Sequence, residues 1–165
     1  MLAALTLVAT MLIQIPLPVT GYVHPGDCLV MLCGFLLGPV WGAGAAGIGS
    51  MLADILSGYA VYAIPTLIIK ALSAFVAAVV FRALRDKFNK KVSILPALIA
   101  GICASLPIVL GYWLCEWVMI GDFRAALVGV PGNIMQGLFG TMSSTVLIVL
   151  MEQSAALRRF LQQLD

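Results

Sequence analysis

Charge is what this sequence has least of. Its 165 residues include nine Lys or Arg and seven Asp or Glu, so only 10% are charged against 62% hydrophobic. A water-soluble domain of this length needs far more polar surface to cover its core. Histidine occurs once, at His24. Neither an H-E-x-x-H motif nor a paired-carboxylate motif accompanies it, which argues against a membrane-embedded enzyme. The four cysteines (Cys28, Cys33, Cys103, Cys115) lie in apolar runs without a C-x-x-C pair and read as small packing residues, so no metal site and no cofactor are expected. A Walker A sequence is missing, and the chain therefore cannot energise transport by itself. The short alternating segments of an outer-membrane barrel are missing too. The opening run lacks a basic n-region and a small-residue cleavage site, and it reads as a first helix rather than a signal peptide.

What is present is a series of long apolar runs, the pattern of a multi-pass helical protein of the cell membrane. The runs predict an all-α protein, one integral membrane domain over 1–165, with six helices near 1–15, 28–37, 42–56, 64–84, 94–118 and 133–151 and an amphipathic tail over 152–165. The first run stops at "IPLP", where Pro16 and Pro18 prevent helix propagation. The stretch 28–58 carries one charge, Asp54, and is long for one span but short for two full ones. Pro39, between Gly38 and Gly42, argues for a break into two short helices. Five spans instead of six would reverse the first outer loop.

Orientation follows from the basic residues. "RALRDKFNKK" gathers Arg82, Arg85, Lys87, Lys90 and Lys91 into a solvated loop, and Arg158 and Arg159 follow the last span. Both clusters belong in the cytoplasm, which places both termini there and carries no implication of nucleic-acid binding.

Three loops then face the exterior: "GYVHPGD", "SGYAVYA" and "GDFRAALVGVPGN". In "HPGD" and "VPGN" a Pro-Gly turn precedes Asp27 or Asn133, each standing where an N-cap belongs. Capping leaves His24 unexplained, and Gln136, one turn from Asn133 on the same face. Lys70, several residues inside a span, costs about 2.5–3.5 kcal/mol on insertion scales unless it snorkels or meets a partner. Glu116 and Asp54 are candidate counter-charges. Tyr59, Tyr62, Tyr112, Trp113 and Trp117 lie at the same depth, either as an interface belt or as walls of a small-molecule pocket. "GAGAAG" matches a dinucleotide fingerprint but sits in an apolar run without a βαβ unit. Gly42, Ala46, Gly49 and Ala53 there form a small-residue stripe suited to internal packing or to a partner protein.

The run from "GYVHPGDCLVMLCGFLLGPVWGAGAAGIGSMLADILSGYAVYAIPTLIIKAL" through "VPGNIMQGLFG" resembles the substrate-specific S components of energy-coupling factor (ECF) vitamin transporters. The likeness is closest to the branch with riboflavin-type, hydroxymethylpyrimidine-type and queuosine-precursor-type members. It implies a six-helix bundle with a binding site near the outer face, built from the first and third outer loops and the last three helices. His24, Asp27, Tyr59, Tyr62, Lys70, Glu116, Asn133 and Gln136 fall in those regions, and Tyr112 lies at the same depth. The implied substrate is a small vitamin or precursor. The implied partners are a membrane coupling subunit and two cytoplasmic ATPases, docked through small residues of the first helix. "MLAALTLVAT" offers Ala3, Ala4 and Ala9 but no strict Ala-x-x-x-Ala. The competing reading is a stand-alone carrier or channel with Lys70, Asp54 and Glu116 as a relay.

Overall fold

The computed structural model describes residues 1–16, 22–87 and 94–152. Lys90 and Lys91 of the basic cluster, Arg158 and Arg159, and the amphipathic tail lie outside the described residues. The elements run α1 (Leu2–Leu12), β1 (Ile15–Pro16), β2 (Tyr22–Val23), α2 (Asp27–Leu56), a 3-10 turn (Ala60–Tyr62), α3 (Ala63–Lys87), α4 (Ile94–Ile120), α5 (Phe123–Ala126), a second 3-10 turn (Leu127–Gly129) and α6 (Val130–Glu152). Among the described residues four helical segments are long and apolar enough to cross a membrane, and α1 is a shorter apolar helix. The molecule is an all-α membrane protein, apart from one two-residue β pairing.

α2 is not one rod. Gly38 has φ 81° and ψ −174°, a conformation that residues with a Cβ rarely adopt, and Pro39 follows it without an N–H to give. The chain turns back there. A Cβ on Gly42 would stand 2.5 Å from the Cys33 carbonyl oxygen, whereas a straight helix would separate those residues by about 13 Å. Ala46 accordingly shares a buried cluster with Val30, Cys33 and Ala74. The break therefore falls at Gly38, and the second half begins at Pro39 rather than at Gly42.

The small-residue stripe of this second half is spent on internal packing. Gly42 meets Cys33, Ala46 lies in the core, and a Cβ on Gly49 would strike the Ala3 carbonyl of α1. α2 packs most extensively on α3, which is flanked by α4, and α4 in turn contacts α6. The main core gathers Met31, Leu32, Phe35, Phe81 and Ile108 with the alanines of α3 and α4.

Two local expectations are corrected. Arg82, Arg85 and Lys87 belong to the last turns of α3 rather than to a loop, and Arg85 is buried. "GDFRAALVGVPGN" is helical over most of its length: Asp122 caps α5 by accepting from the Arg124 and Ala125 N–H groups, and Pro131 sits in the first turn of α6, where its missing N–H costs no intrahelical bond.

Arg82 packs against the reversal, since a Cβ on Gly38 would collide with its guanidinium. Gly38→Ala therefore meets both backbone strain and a clash. It is expected to destabilise the protein by about 1–3 kcal/mol, read as a lower thermal midpoint in detergent, while Gly44→Ala, at a glycine with open space around it, should leave the midpoint within a degree or two of wild type.

Candidate binding site

The fold brings a polar cluster together from segments far apart in sequence. Lys70 of α3 is wholly buried and its Nζ lies 2.5 Å from Asp27 Oδ1, on an equally buried side chain. Gln136 of α6 donates from Nε2 to Asp27 Oδ2 at 2.8 Å, so both carboxylate oxygens are engaged. The Gln136 Oε1 atom accepts from the His24 backbone N–H at 3.0 Å. Tyr112 of α4 presents its ring to the Lys70 ammonium, 5.2 Å from the centroid, which adds a cation–π contact. A Cβ on Gly140 would lie 2.9 Å from that of Asp27, so α6 reaches the start of α2 only because the position is glycine.

These contacts revise three residue roles. The residue in direct ion pair with Lys70 is Asp27. Asp27 is not an N-cap: Gly26 holds that position and makes no side-chain bond, while the Asp27 carboxylate turns inward to Lys70. Asn133 is not a cap either, because α6 starts three residues earlier, at Val130.

His24 is buried. Its Nδ1 accepts from the Gly26 N–H at 3.1 Å, satisfying a donor at the start of α2. Burial, and then the positive charge of Lys70, lower its pKa to about 3 against the opposing pull of Asp27, so the ring is neutral at physiological pH.

Next to this cluster lies a cavity of about 20 Å³ lined by Tyr22, His24, Asp54, Tyr62, Thr66, Tyr112, Glu116 and Asn133. Tyr22 donates its hydroxyl to Asp54 Oδ1 at 2.7 Å and packs its ring on Tyr59, with centroids 4.7 Å apart. Burial and the neighbouring Asp54 carboxylate hold the Tyr22 phenol well above its usual pKa, so it stays a donor. The Thr66 and Tyr112 hydroxyls are 3.0 Å apart. Asp54 Oδ2 and Asn133 Nδ2, both buried, have no hydrogen-bond partner. Such unmet groups are costly in a low-dielectric interior.

Of the residues singled out in the sequence, His24, Tyr62, Tyr112, Glu116 and Asn133 line the cavity, and Asp27, Lys70 and Gln136 form the adjoining network. Tyr59 lies behind Tyr22 rather than on the wall. Trp113 and Trp117 stack on each other and meet Phe123 edge to face, and neither lines the cavity. Tyr22 and Thr66 are missed by the sequence reading. Each had a local signal: Tyr22 stands two residues before His24 in an extended segment, and Thr66 one turn before Lys70 on the same helix face. In α1, Ala4 is exposed, and Ala3 and Ala9 are partly covered.

A bundle of apolar helices around a polar cluster at one end of its core is the architecture of an integral membrane protein. Residues 1–153 match the family model of the ECF-type riboflavin transporter S component. The chain belongs to that family: it is a multi-pass cell-membrane protein and the substrate-binding component of an ECF transporter. It is 34% identical over 135 residues to an uncharacterized protein of Pyrococcus woesei, covering 81% of this chain and 84% of that one. Its fold is similar to a solved S component of a bacterial ECF transporter, with a TM-score of 0.67 and 21% identity over 92% of this chain and 91% of the other.

A buried ion pair adds little net stability when intact but is expensive to break on one side. Lys70→Met strands the Asp27 charge and is expected to cost about 3–5 kcal/mol. Adding Asp27→Asn to that variant should recover at least about 1 kcal/mol of the loss. Equal unfolding midpoints for the single and double variants would show that the pair is not coupled.

Proposed function

We propose that this chain captures a small vitamin or vitamin precursor, an aromatic heterocycle, at the outer face of the membrane. It passes the solute inward with a membrane coupling subunit driven by two cytoplasmic ATPases. The observation that carries this reading is the pair of buried, unpartnered polar atoms, Asp54 Oδ2 and Asn133 Nδ2, on the wall of one aromatic-lined cavity. A cavity of about 20 Å³ has room for about one water. In this reading the form is closed to a larger ligand, which enters only when Tyr22 moves aside. His24, Asp27, Lys70, Tyr112, Glu116, Asn133 and Gln136 form or support the site, and Tyr62 completes its aromatic side, with Tyr59 backing Tyr22. Binding alone does not concentrate a solute. Without a phosphate-binding loop of its own, the chain depends on a partner for that step. α1, with Ala4 exposed and Ala3 and Ala9 beside it, is the proposed docking helix. Against the carrier reading stands the pairing of Lys70 with Asp27, which was not one of the three relay residues.

We also propose six membrane crossings with both termini cytoplasmic. The reversal at Gly38 divides α2 into two crossings, and the proximity of Arg82 to Gly38 sets that turn at the basic end of α3. In a cysteine-free background, Ala60→Cys should react with an impermeant thiol reagent on intact cells, and Asp86→Cys only after the cells are opened. The opposite pattern would invert the topology.

The function is tested in vesicles. Ligand that co-purifies with the chain is identified by mass spectrometry, and its uptake is measured with and without the coupling subunit and ATPases. Accumulation is expected only with the full assembly and ATP. Accumulation by the chain alone, following a proton or sodium gradient, would replace this reading with a secondary carrier.

A further inference from the structure

Tyr22 does in this structure what a ligand would do. Its ring lies against two others, His24 with centroids 5.5 Å apart and Tyr59 with centroids 4.7 Å apart. Its hydroxyl reaches across to Asp54, 32 residues away, and donates at 2.7 Å. The little space left beside it, about 20 Å³, is lined by Asp54 and Asn133, whose buried Oδ2 and Nδ2 atoms Tyr22 does not engage. The site thus holds an aromatic ring with one donor, and its remaining acceptor and donor are idle.

We propose that Tyr22 is a built-in surrogate ligand: it fills the aromatic slot and the Asp54 carboxylate in the closed form, and the transported solute displaces it. This inference rests on the capture reading above and specifies the solute's chemistry. To displace Tyr22 the solute must be a planar aromatic ring with its own N–H or O–H donor for Asp54, and an acceptor on the adjacent edge engages Asn133 Nδ2. A ring without the donor leaves Asp54 with a worse partner than the phenol it lost, and is excluded by that difference.

The support that carries Tyr22 suits a part that must leave. β2 is two residues long and pairs with two residues of β1, opposite Ile15 and Pro16, and proline contributes no N–H to the pairing. Gln14 adds one tie, donating from Nε2 to Ser57 Oγ at 2.8 Å. Two residues further on, His24 is held by Gln136 and by its own bond to Gly26. The arm is thus anchored at His24 and lightly held at Tyr22.

Competition has a sign that distinguishes it from ordinary contact. Binding to the purified chain in lipid nanodiscs is measured by calorimetry with two matched pairs of probes. Lumiflavin is compared with 3-methyllumiflavin, and 4-aminopyrimidine with 4-methoxypyrimidine. The second member of each pair lacks the donor. Wild type should prefer the donor-bearing member by about tenfold or more. Tyr22→Phe keeps the ring but removes its bond to Asp54, so the donor-bearing probe should bind about tenfold more tightly. Asp54→Leu, which removes both acceptor oxygens, should erase the preference within the pair. Because that readout is a ratio within one protein, a partial loss of fold does not mimic it. Where Asp54→Leu does not fold, Tyr22→Phe decides alone. Weaker or unchanged binding in Tyr22→Phe would overturn the surrogate role, as would a preference that survives Asp54→Leu. If none of the four probes binds, this inference fails, while the capture reading is judged separately by the co-purified ligand and the uptake assay.

Discussion

The buried pair between Lys70 and Asp27 is the constraint around which the rest of the site is arranged. Two full charges with no exposure to solvent are tolerable in an apolar bundle only when each finds its counterpart and the remaining hydrogen-bonding capacity is met. Here Gln136 takes the second carboxylate oxygen and Tyr112 supplies its ring face to the ammonium. Meeting those demands draws the start of α2, the N-terminal third of α3, the C-terminal half of α4 and the first turns of α6 to one point. Four helices are thereby held in a single register, with the Ser73 hydroxyl on the Ala104 carbonyl and the Thr66–Tyr112 contact as further polar ties between α3 and α4.

The reversal at Gly38 makes this possible. A continuous α2 would carry Asp27 and Asp54 to opposite ends of a rod about 40 Å long. Folded back, it delivers both to the same end of the molecule, one to Lys70 and the other to Tyr22. Arg82 closes the far end of the hairpin. The stripe from Gly42 to Ala53 serves the same purpose, allowing the second half of α2 to lie close to its first half and to α1.

The two carboxylates then take different parts. Asp27 is saturated and structural, with both oxygens bonded and its charge balanced. Asp54 is half used: one oxygen holds Tyr22 and the other is idle on the cavity wall. A binding protein needs both kinds of group, a settled network to keep the walls in place and an unsettled one to reward a ligand for entering. The neutral His24 stands between them, tying the arm that carries Tyr22 to Gln136 and so to Asp27.

The sequence by itself determined the class of the molecule. Apolar runs of spanning length, the scarcity of charge and the placing of the arginines and lysines follow from the cost of burying polar groups in lipid, which acts on each segment separately. Pro39 marked a break because proline acts locally, and Lys70 announced a need for a partner because its depth in a span is a local property. The choice of partner was not local. Asp27, Asp54 and Glu116 are all carboxylates near helix ends, and only the packing of α2 on α3 selects the one 43 positions away. The same holds for Asp27 and Asn133, whose sequence context is that of caps but whose surroundings are buried. Tyr22 was hidden for a related reason: an aromatic residue near a membrane boundary is common, and its bond to Asp54 exists only after α2 has folded back. Composition and period are properties of neighbouring residues, whereas a binding site is made of distant ones, and tertiary packing decides which of them meet.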